Sequence, residues 1–394
     1  MARRNDFFAV KNPQAVLKHG VLTRYAYYFA GRAGSGTGGR VAFIDGYAGE
    51  GRYKDGSPGS PLLLATEAER AGLLINRDVR LAFVESDARC RAELVRALAE
   101  YKVVADMIEA RPFEEAAPDL LDRYSNHSIL AFVDPFGLGV SHDSLVDILR
   151  QSRTGRPIDV LYHFSLSTVA RMGSVGISPD ADYAEQNAAH LDRVLGASVD
   201  WRGMFKGTPS SDGAATRTAI AVAHAFGASL QTTTGMRCTS IEVRQRPDQL
   251  PKYLLMLISR DPSGRAHWDF ADVAASAHAE WLLHCDVSDF DANIAVRDNF
   301  GLLSLWDPER PTLDEIKRNL DAIADRDFDE HLRRLFRQRS SFRLVDDVAE
   351  AFGPMLGRVG HPAVRRAIRR LHSSGLIDDD GKGDFHTRTI TWIG

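Results

Sequence analysis

The sequence predicts a doubly wound α/β fold, a parallel sheet with helices on both faces, followed by a C-terminal winged helix-turn-helix. Three observations carry this. Five short apolar runs near 40–45, 79–85, 105–110, 129–133 and 158–164 alternate with amphipathic stretches of helical period. The runs are nearly continuous in apolar residues and do not alternate, as expected of strands buried on both faces. Beyond about residue 307 the pattern changes to helix, turn, helix and hairpin, the order of a winged helix.

The elements follow in sequence. Residues 15–28 read as an entering helix, with Val16, Leu17, Val21, Leu22 and Tyr25 at helical spacing, and the glycine-rich 31–39 breaks it. After the first strand come a helix over 61–72, the second strand, and a helix over 87–101. The third strand, ending before Pro112, precedes a helix over 114–124. The fourth strand, a helix over 141–151 and the fifth strand complete five βα repeats. Residues 170–217, with Gly173, Gly176 and Pro179, read as an insertion or lid, and 216–226 as a helix. Runs at 240–243 and 253–259 read as two last strands forming an antiparallel edge. Thr312 and Glu315 form a Thr-x-x-Glu capping box opening a helix over 312–324. Two further helices, over 342–352 and 361–374, then precede a hairpin over 375–392. The implied domains are 1–305, containing the sheet and the insertion, and 306–394.

With 394 residues the chain is long enough for two units. Its net charge of −4 gives the whole surface no bias towards nucleic acid. Cys90, Cys238 and Cys285 stand far apart and form no metal-ligand pair, which fits a reducing cytoplasm. No apolar run approaches the roughly 20 residues needed to cross a bilayer, and no signal peptide is read at the start. The expectation is a cytoplasmic protein that holds neither metal nor membrane.

The chemistry lies at the strand ends. The first strand ends in Asp45-Gly46-Tyr47-Ala48-Gly49-Glu50-Gly51, whose glycines allow tight turns and close backbone approach to a ligand. No Gly-Lys-Ser/Thr follows, so a phosphate loop is not supported. Glu85 closes the second strand, where a carboxylate accepts both hydroxyls of a ribose; a helix-capping role is the plainer alternative. Ala110 and Arg111 follow the third strand, in the loop expected to read an adenine. The fourth strand ends in Asp134-Pro135-Phe136-Gly137. A carboxylate there can accept a hydrogen bond from an exocyclic amine and hold its lone pair towards a methyl group. The nearby aromatic can stack a flipped base. These strand ends together point to S-adenosylmethionine (SAM). Lys18 and His19, taken singly, read as surface residues. His163 and Ser165, after the fifth strand, either line a cleft or cap a turn. Arg365, Arg366, Arg369 and Arg370 give the last helix a basic stripe, suited to DNA or RNA or to plain solvation.

Val16-Leu-Lys18-His19, Phe43-Ile-Asp45-Gly-Tyr-Ala-Gly49-Glu-Gly51-Arg-Tyr53, Gly59-Ser-Pro61-Leu and Asp134-Pro-Phe-Gly137 resemble the three-Cys-motif partner proteins (TcmP), over roughly residues 10–165. The C-terminal unit is similar to the domain appended in that family. The resemblance implies a class I SAM-methyltransferase sheet and a separate companion protein carrying a three-cysteine motif. The Leu-Lys-His helix and the glycine-rich turn are also similar to large-subunit ribosomal RNA adenine-N6 methyltransferases. That similarity implies His19, Tyr47 and Glu85 at the SAM site, Lys18 nearby, and Asp134 at the catalytic position. Those enzymes carry Asp-Pro-Pro-Tyr, whose last aromatic stacks on the target adenine; here Gly137 stands in its place and Phe136 comes one position early. Two functions follow as expectations. One is a SAM-dependent methyltransferase acting on a nucleic acid or nucleic-acid-associated substrate. The other is a weakly active or inactive methyltransferase-fold partner that recruits or regulates the companion.

Overall fold

A computed structural model of the chain describes residues 12–153, 155–178, 182–209, 211–299 and 309–394. They group into two compact units, one of residues 22–261 and one of residues 12–21 with 262–394. The boundary expected at 305/306 lies outside the described residues.

The first helix, α1 (Pro13–Ala33), outruns the expected 15–28 and passes into a 3-10 turn, Gly34–Thr37. The α/β unit continues with β1 (Arg40–Asp45), α2 (Ser60–Ile75), β2 (Asp78–Val84), α3 (Ala88–Glu100), β3 (Met107–Glu109) and α4 (Phe113–Arg123). Next come β4 (Ser128–Val133), α5 (His142–Arg150) and β5 (Ile158–Ser165). The apolar runs form strands because both of their faces are covered. All six residues of β4 and five of the six in β1 are buried.

The seven-stranded sheet has the order β3-β2-β1-β4-β5-β7-β6, where β6 is Arg237–Val243 and β7 is Tyr253–Ser259. Strands β1 to β5 are parallel, and β7 runs antiparallel to both β5 and β6. The last two strands are antiparallel, as expected, but they do not share the edge equally. All seven residues of β7 are buried, so it inserts beside β5, and the more polar β6 forms the edge.

The stretch read as an insertion or lid is part of the core. It folds as α6 (Leu166–Gly176), α7 (Ala184–Leu195) and α8 (Trp201–Lys206), and α9 (Ala214–Thr234) follows. Leu191, Val194, Trp201 and Phe205 join Val133, Val160 and Phe164 of the sheet in one apolar cluster. The glycines that suggested a lid serve packing: a Cβ at Gly173 would stand 2.4 Å from the Phe205 ring. Pro179 lies outside the described residues.

The second unit contains two helices that the sequence reading did not anticipate, α10 (Arg265–Asn299) and α12 (Asp329–Arg339). The Thr312–Glu315 capping box opens α11 (Leu313–Ile323) as expected, and a π turn, Ala324–Phe328, joins it to α12. The helix expected over 342–352 is shorter. Phe342 belongs to a strand, β8 (Ser341–Phe342), and only α13 (Val348–Phe352) is helical, because Asp347 caps it by accepting from Glu350 N–H at 2.9 Å. Helix α14 (His361–Ser373) follows. The hairpin expected over 375–392 is also altered: β9 (Ile390–Thr391) pairs with β8, and a single bridge joins Trp392 to Ile377. Phe328, Leu332, Phe336, Phe352, Ile368 and Leu371 form the core of this unit. Among the described residues no helix is long and apolar enough to cross a membrane.

Candidate functional site

The register places the strand ends on one line. Asp45 of β1 stands opposite Phe83 of β2 and Phe132 of β4. Glu85 and Asp134 therefore both emerge two residues past that line, at the carboxyl edge. The strand order reverses between β1 and β4, which opens a crevice there, the usual place for a ligand in a doubly wound sheet.

The turn after β1 is fastened to its neighbours. Asp45 is fully buried and its Oδ1 accepts from Tyr47 N–H at 3.1 Å. Gly46 N–H donates to the Phe132 carbonyl at 2.8 Å, and Ala48 N–H to the Val84 carbonyl at 2.9 Å. Gly46 permits the approach of α4, since a Cβ there would lie 2.9 Å from the Phe113 ring. Gly49 and Gly51 turn the chain with φ of 63° and 76°, a region that disfavours other residues.

Glu85 is the clamp of this site. Its Oε2 accepts from Gly49 N–H at 3.0 Å and its Oε1 from Asp87 N–H at 2.7 Å. One carboxylate thus ties the first loop to the second. Each oxygen keeps a further lone pair with which to accept a ligand hydroxyl. The capping role considered for Glu85 belongs instead to Asp87, whose side chain accepts from Arg89 N–H and Cys90 N–H at the start of α3.

The third loop adjoins this clamp through Glu85 N–H, which donates to the Glu109 carbonyl at 3.0 Å. Ala110 and Arg111 are exposed. The Arg111 guanidinium turns back onto Glu109 and Asp119, at 2.8 Å from each. Its side-chain hydrogen bond holds the Glu109 carboxyl down at about 2, helped by the Arg111 and Ala110 amides. Arg111 is thus occupied with its own loop.

After β4, Asp134 is half-buried, Pro135 buried, and Phe136 72% exposed. Gly137 has φ of +98°, a backbone that favours glycine over an aromatic side chain. His163 of β5 brings Nδ1 to 3.6 Å from Asp134 Oδ1. The Tyr253 ring lies 4.0 Å from the His163 ring, centroid to centroid. Tyr53 joins them. Burial first, then Asp134 and Asp55, raises its hydroxyl well above the ordinary tyrosine range. Ser165 takes the capping role, accepting from Thr168 N–H at 3.3 Å at the start of α6.

Lys18 and His19 are buried, 8% and 4% exposed, contrary to the surface position expected of them singly. They belong to the contact group of the second unit. The basic stripe also lies there, and its arginines divide. Arg366 pairs with Asp321 and Asp325, and Arg370 with Asp325 and Asp329. Arg365 donates to the carbonyls of Gly381 and Gly383 and covers the Phe385 ring, and Arg369 is exposed. The acids on α11, the π turn and α12 carried no sequence signal, since they lie more than thirty positions from their partners. Tyr253 was missed for the same reason: nothing near it announces β5.

No protein-family model matches the chain, and no curated protein matches it. Among solved structures it is similar to the plantazolicin methyltransferase BamL, in complex with SAH and a desmethylPZN analog. That match has 10% identity over 65% of this chain and 88% of that one, with a TM-score of 0.31. The plantazolicin methyltransferase BpumL, in complex with SAH, matches at 15% identity over 62% and 84%, with a TM-score of 0.26. The cyclopropane synthase MmaA2 from Mycobacterium tuberculosis matches at 12% over 58% and 82%, with a TM-score of 0.24. Likenesses of this size assign no residue and no substrate. The sheet itself is doubly wound and Rossmann-like, with its order reversing at β1/β4 and with an antiparallel β7.

Proposed function

We propose that the chain is a SAM-dependent methyltransferase whose acceptor approaches Asp134. The observation that supports this most is the Glu85 clamp. A carboxylate at the end of β2 is held by Gly49 N–H and Asp87 N–H, beside the positive-φ glycine turn that follows β1, the strand at which the sheet order reverses. The residues fit the cofactor: Glu85 has lone pairs for ribose hydroxyls, and the turn from Asp45 to Gly51 offers close backbone approach. Ala110, in the loop after β3, would flank the adenine. When bound, SAM supplies a methyl group carried on a positive sulfur. The chain's own work is to orient the acceptor at Asp134, with Pro135 fixing the turn and Phe136 offering a stacking face.

Glu85→Ala removes hydrogen bonds to a charged group, each contributing about 1.5–3 kcal/mol. SAM affinity should fall by roughly 10- to 100-fold. Calorimetry checks this, and a wild-type protein without SAM affinity would end the methyltransferase reading.

A second reading draws on Gly137. With no aromatic at that position, a flipped adenine lacks its stacking partner, which favours a methyltransferase-fold partner that regulates a three-Cys-motif companion. In both readings the helices α13 and α14, with strands β8 and β9, serve as a winged helix that docks DNA or RNA. Within the stripe Arg369 is the exposed arginine, whereas Arg366 and Arg370 face acids and Arg365 supports the wing. R369E should therefore lower nucleic-acid affinity and reduce the slope of log affinity against log salt by about one. A filter-binding salt series with an unchanged slope would mean that this unit binds protein or only packs.

A further inference from the structure

The sheet brings to Asp134 a group that the motifs do not include. His163 faces it at 3.6 Å, and the two side chains are 12% and 20% exposed, so the pair is desolvated yet within reach of water. The Tyr253 ring packs against the imidazole, 4.0 Å between centroids. Tyr253 stands opposite Ser165 in the β5–β7 register, two residues from His163, and its ring is tilted 58° to the imidazole. The titratable groups gathered here are Asp134 at the end of β4, His163 on β5, Tyr253 on β7 and Tyr53 from the turn after β1.

We propose that Asp134 and His163 act as one proton-accepting pair, in which the carboxylate holds an N–H or O–H of the acceptor and the imidazole takes up the proton that the acceptor gives up. This rests on the methyltransferase reading. The acceptor's lone pair forms the bond to the methyl carbon as the carbon–sulfur bond breaks, its electrons remaining on sulfur. Positive charge passes to the acceptor atom, which sheds its proton to Asp134, and His163 relays it to water. A carboxylate alone, with an ordinary pKa near 4, is a poor resting place for that proton. An imidazole, ordinarily near 6.5, is a better one, and the Asp134 charge beside it favours the protonated form further. The tyrosines do not compete. Burial, and after it the Asp134 charge, raises the hydroxyls of Tyr53 and Tyr253 well above their usual range, so both stay protonated. The distance of 3.6 Å exceeds a hydrogen bond, and such contacts tighten when substrate binds. The acceptor class that follows is an amine, amide or hydroxyl with a proton to lose.

The test uses the full-length protein and two readouts. In ¹H–¹⁵N imidazole spectra, H163Q assigns the His163 signal, and its titration is compared between wild type and D134N. Loss of an opposite charge at this distance should lower the His163 pKa by about one unit or more; a change under about 0.2 overturns the pair. Should D134N fail to fold, D134S gives the same comparison. Calorimetry with SAM then separates the roles: H163Q should bind SAM within about twofold of wild type, and a tenfold loss would make His163 a cofactor ligand and overturn the relay. A wild-type protein that binds no SAM removes the methyltransferase reading and the relay with it. The imidazole titration, which needs no SAM, distinguishes that failure from a missing pair.

Discussion

Asp159→Ala is expected to destabilise the α/β unit by about 3–5 kcal/mol, the cost of orphaning a buried charge. Asp159 is fully buried near the start of β5, at the sheet edge opposite the candidate site. Tyr25 Oη donates to its Oδ2 at 2.7 Å, Arg32 Nη2 donates to the same oxygen at 2.7 Å, and Ser259 Oγ donates to Oδ1 at 2.6 Å. Asp261 adds a longer pairing to Arg32, at 3.6 Å. Alanine would leave a largely buried guanidinium and two hydroxyls without their shared acceptor. Asp159→Asn keeps an acceptor oxygen and should cost less, because it removes charge without emptying the space. Urea denaturation read by far-ultraviolet circular dichroism measures both variants. A loss below about 1 kcal/mol for alanine would mean that water replaces the carboxylate, contrary to a dry network.

Asp134→Ala is expected to leave SAM bound with near wild-type affinity and to reduce methyl transfer at least about 100-fold. Placing the acceptor and stabilising charge as it develops account for effects of that size. The carboxylate lies past the end of β4, apart from the Glu85 clamp that would hold the cofactor, so binding and transfer should separate. A radiolabelled methyl screen against DNA, RNA and protein, including a three-Cys-motif companion, first identifies the acceptor. The variant is then compared with the wild type on it. Equal turnover would remove Asp134 from the chemistry. No transfer by the wild type to any of these, with SAM still bound, would favour the regulatory partner.

Local signals made much of the α/β unit legible. Strands β1 to β5 fall within two or three residues of their predicted spans, because a continuous apolar run between glycine or proline turns has few other uses. The Asp45–Gly51 turn, Glu85 and Asp134 could be singled out for the same reason: each follows such a run directly. The errors came where the pattern was not local. Residues 170–217 looked like a lid because glycines and proline interrupt them, yet Trp201 and Phe205 bury into the sheet's cluster. Phe342 looked helical by periodicity, but a strand partner nearly fifty residues away, Ile390, drew it into a pair.

The sequence by itself determined the order of the first five strands and their helices, the strand ends that carry carboxylates, and the glycines that let a ligand approach. These are properties of residues close along the chain, fixed by burial, turn geometry and helix capping. The tertiary structure alone decided what surrounds those carboxylates. It set Glu85 between two backbone N–H groups, turned Arg111 onto Glu109 and Asp119, and divided the basic stripe among Asp321, Asp325, Asp329 and the wing. It also inserted β7 beside β5, bringing Tyr253 to His163 and so to Asp134. Each of these depends on pairing or packing between distant segments, where the electrostatic partner of a charge is chosen by register and not by spacing in the sequence.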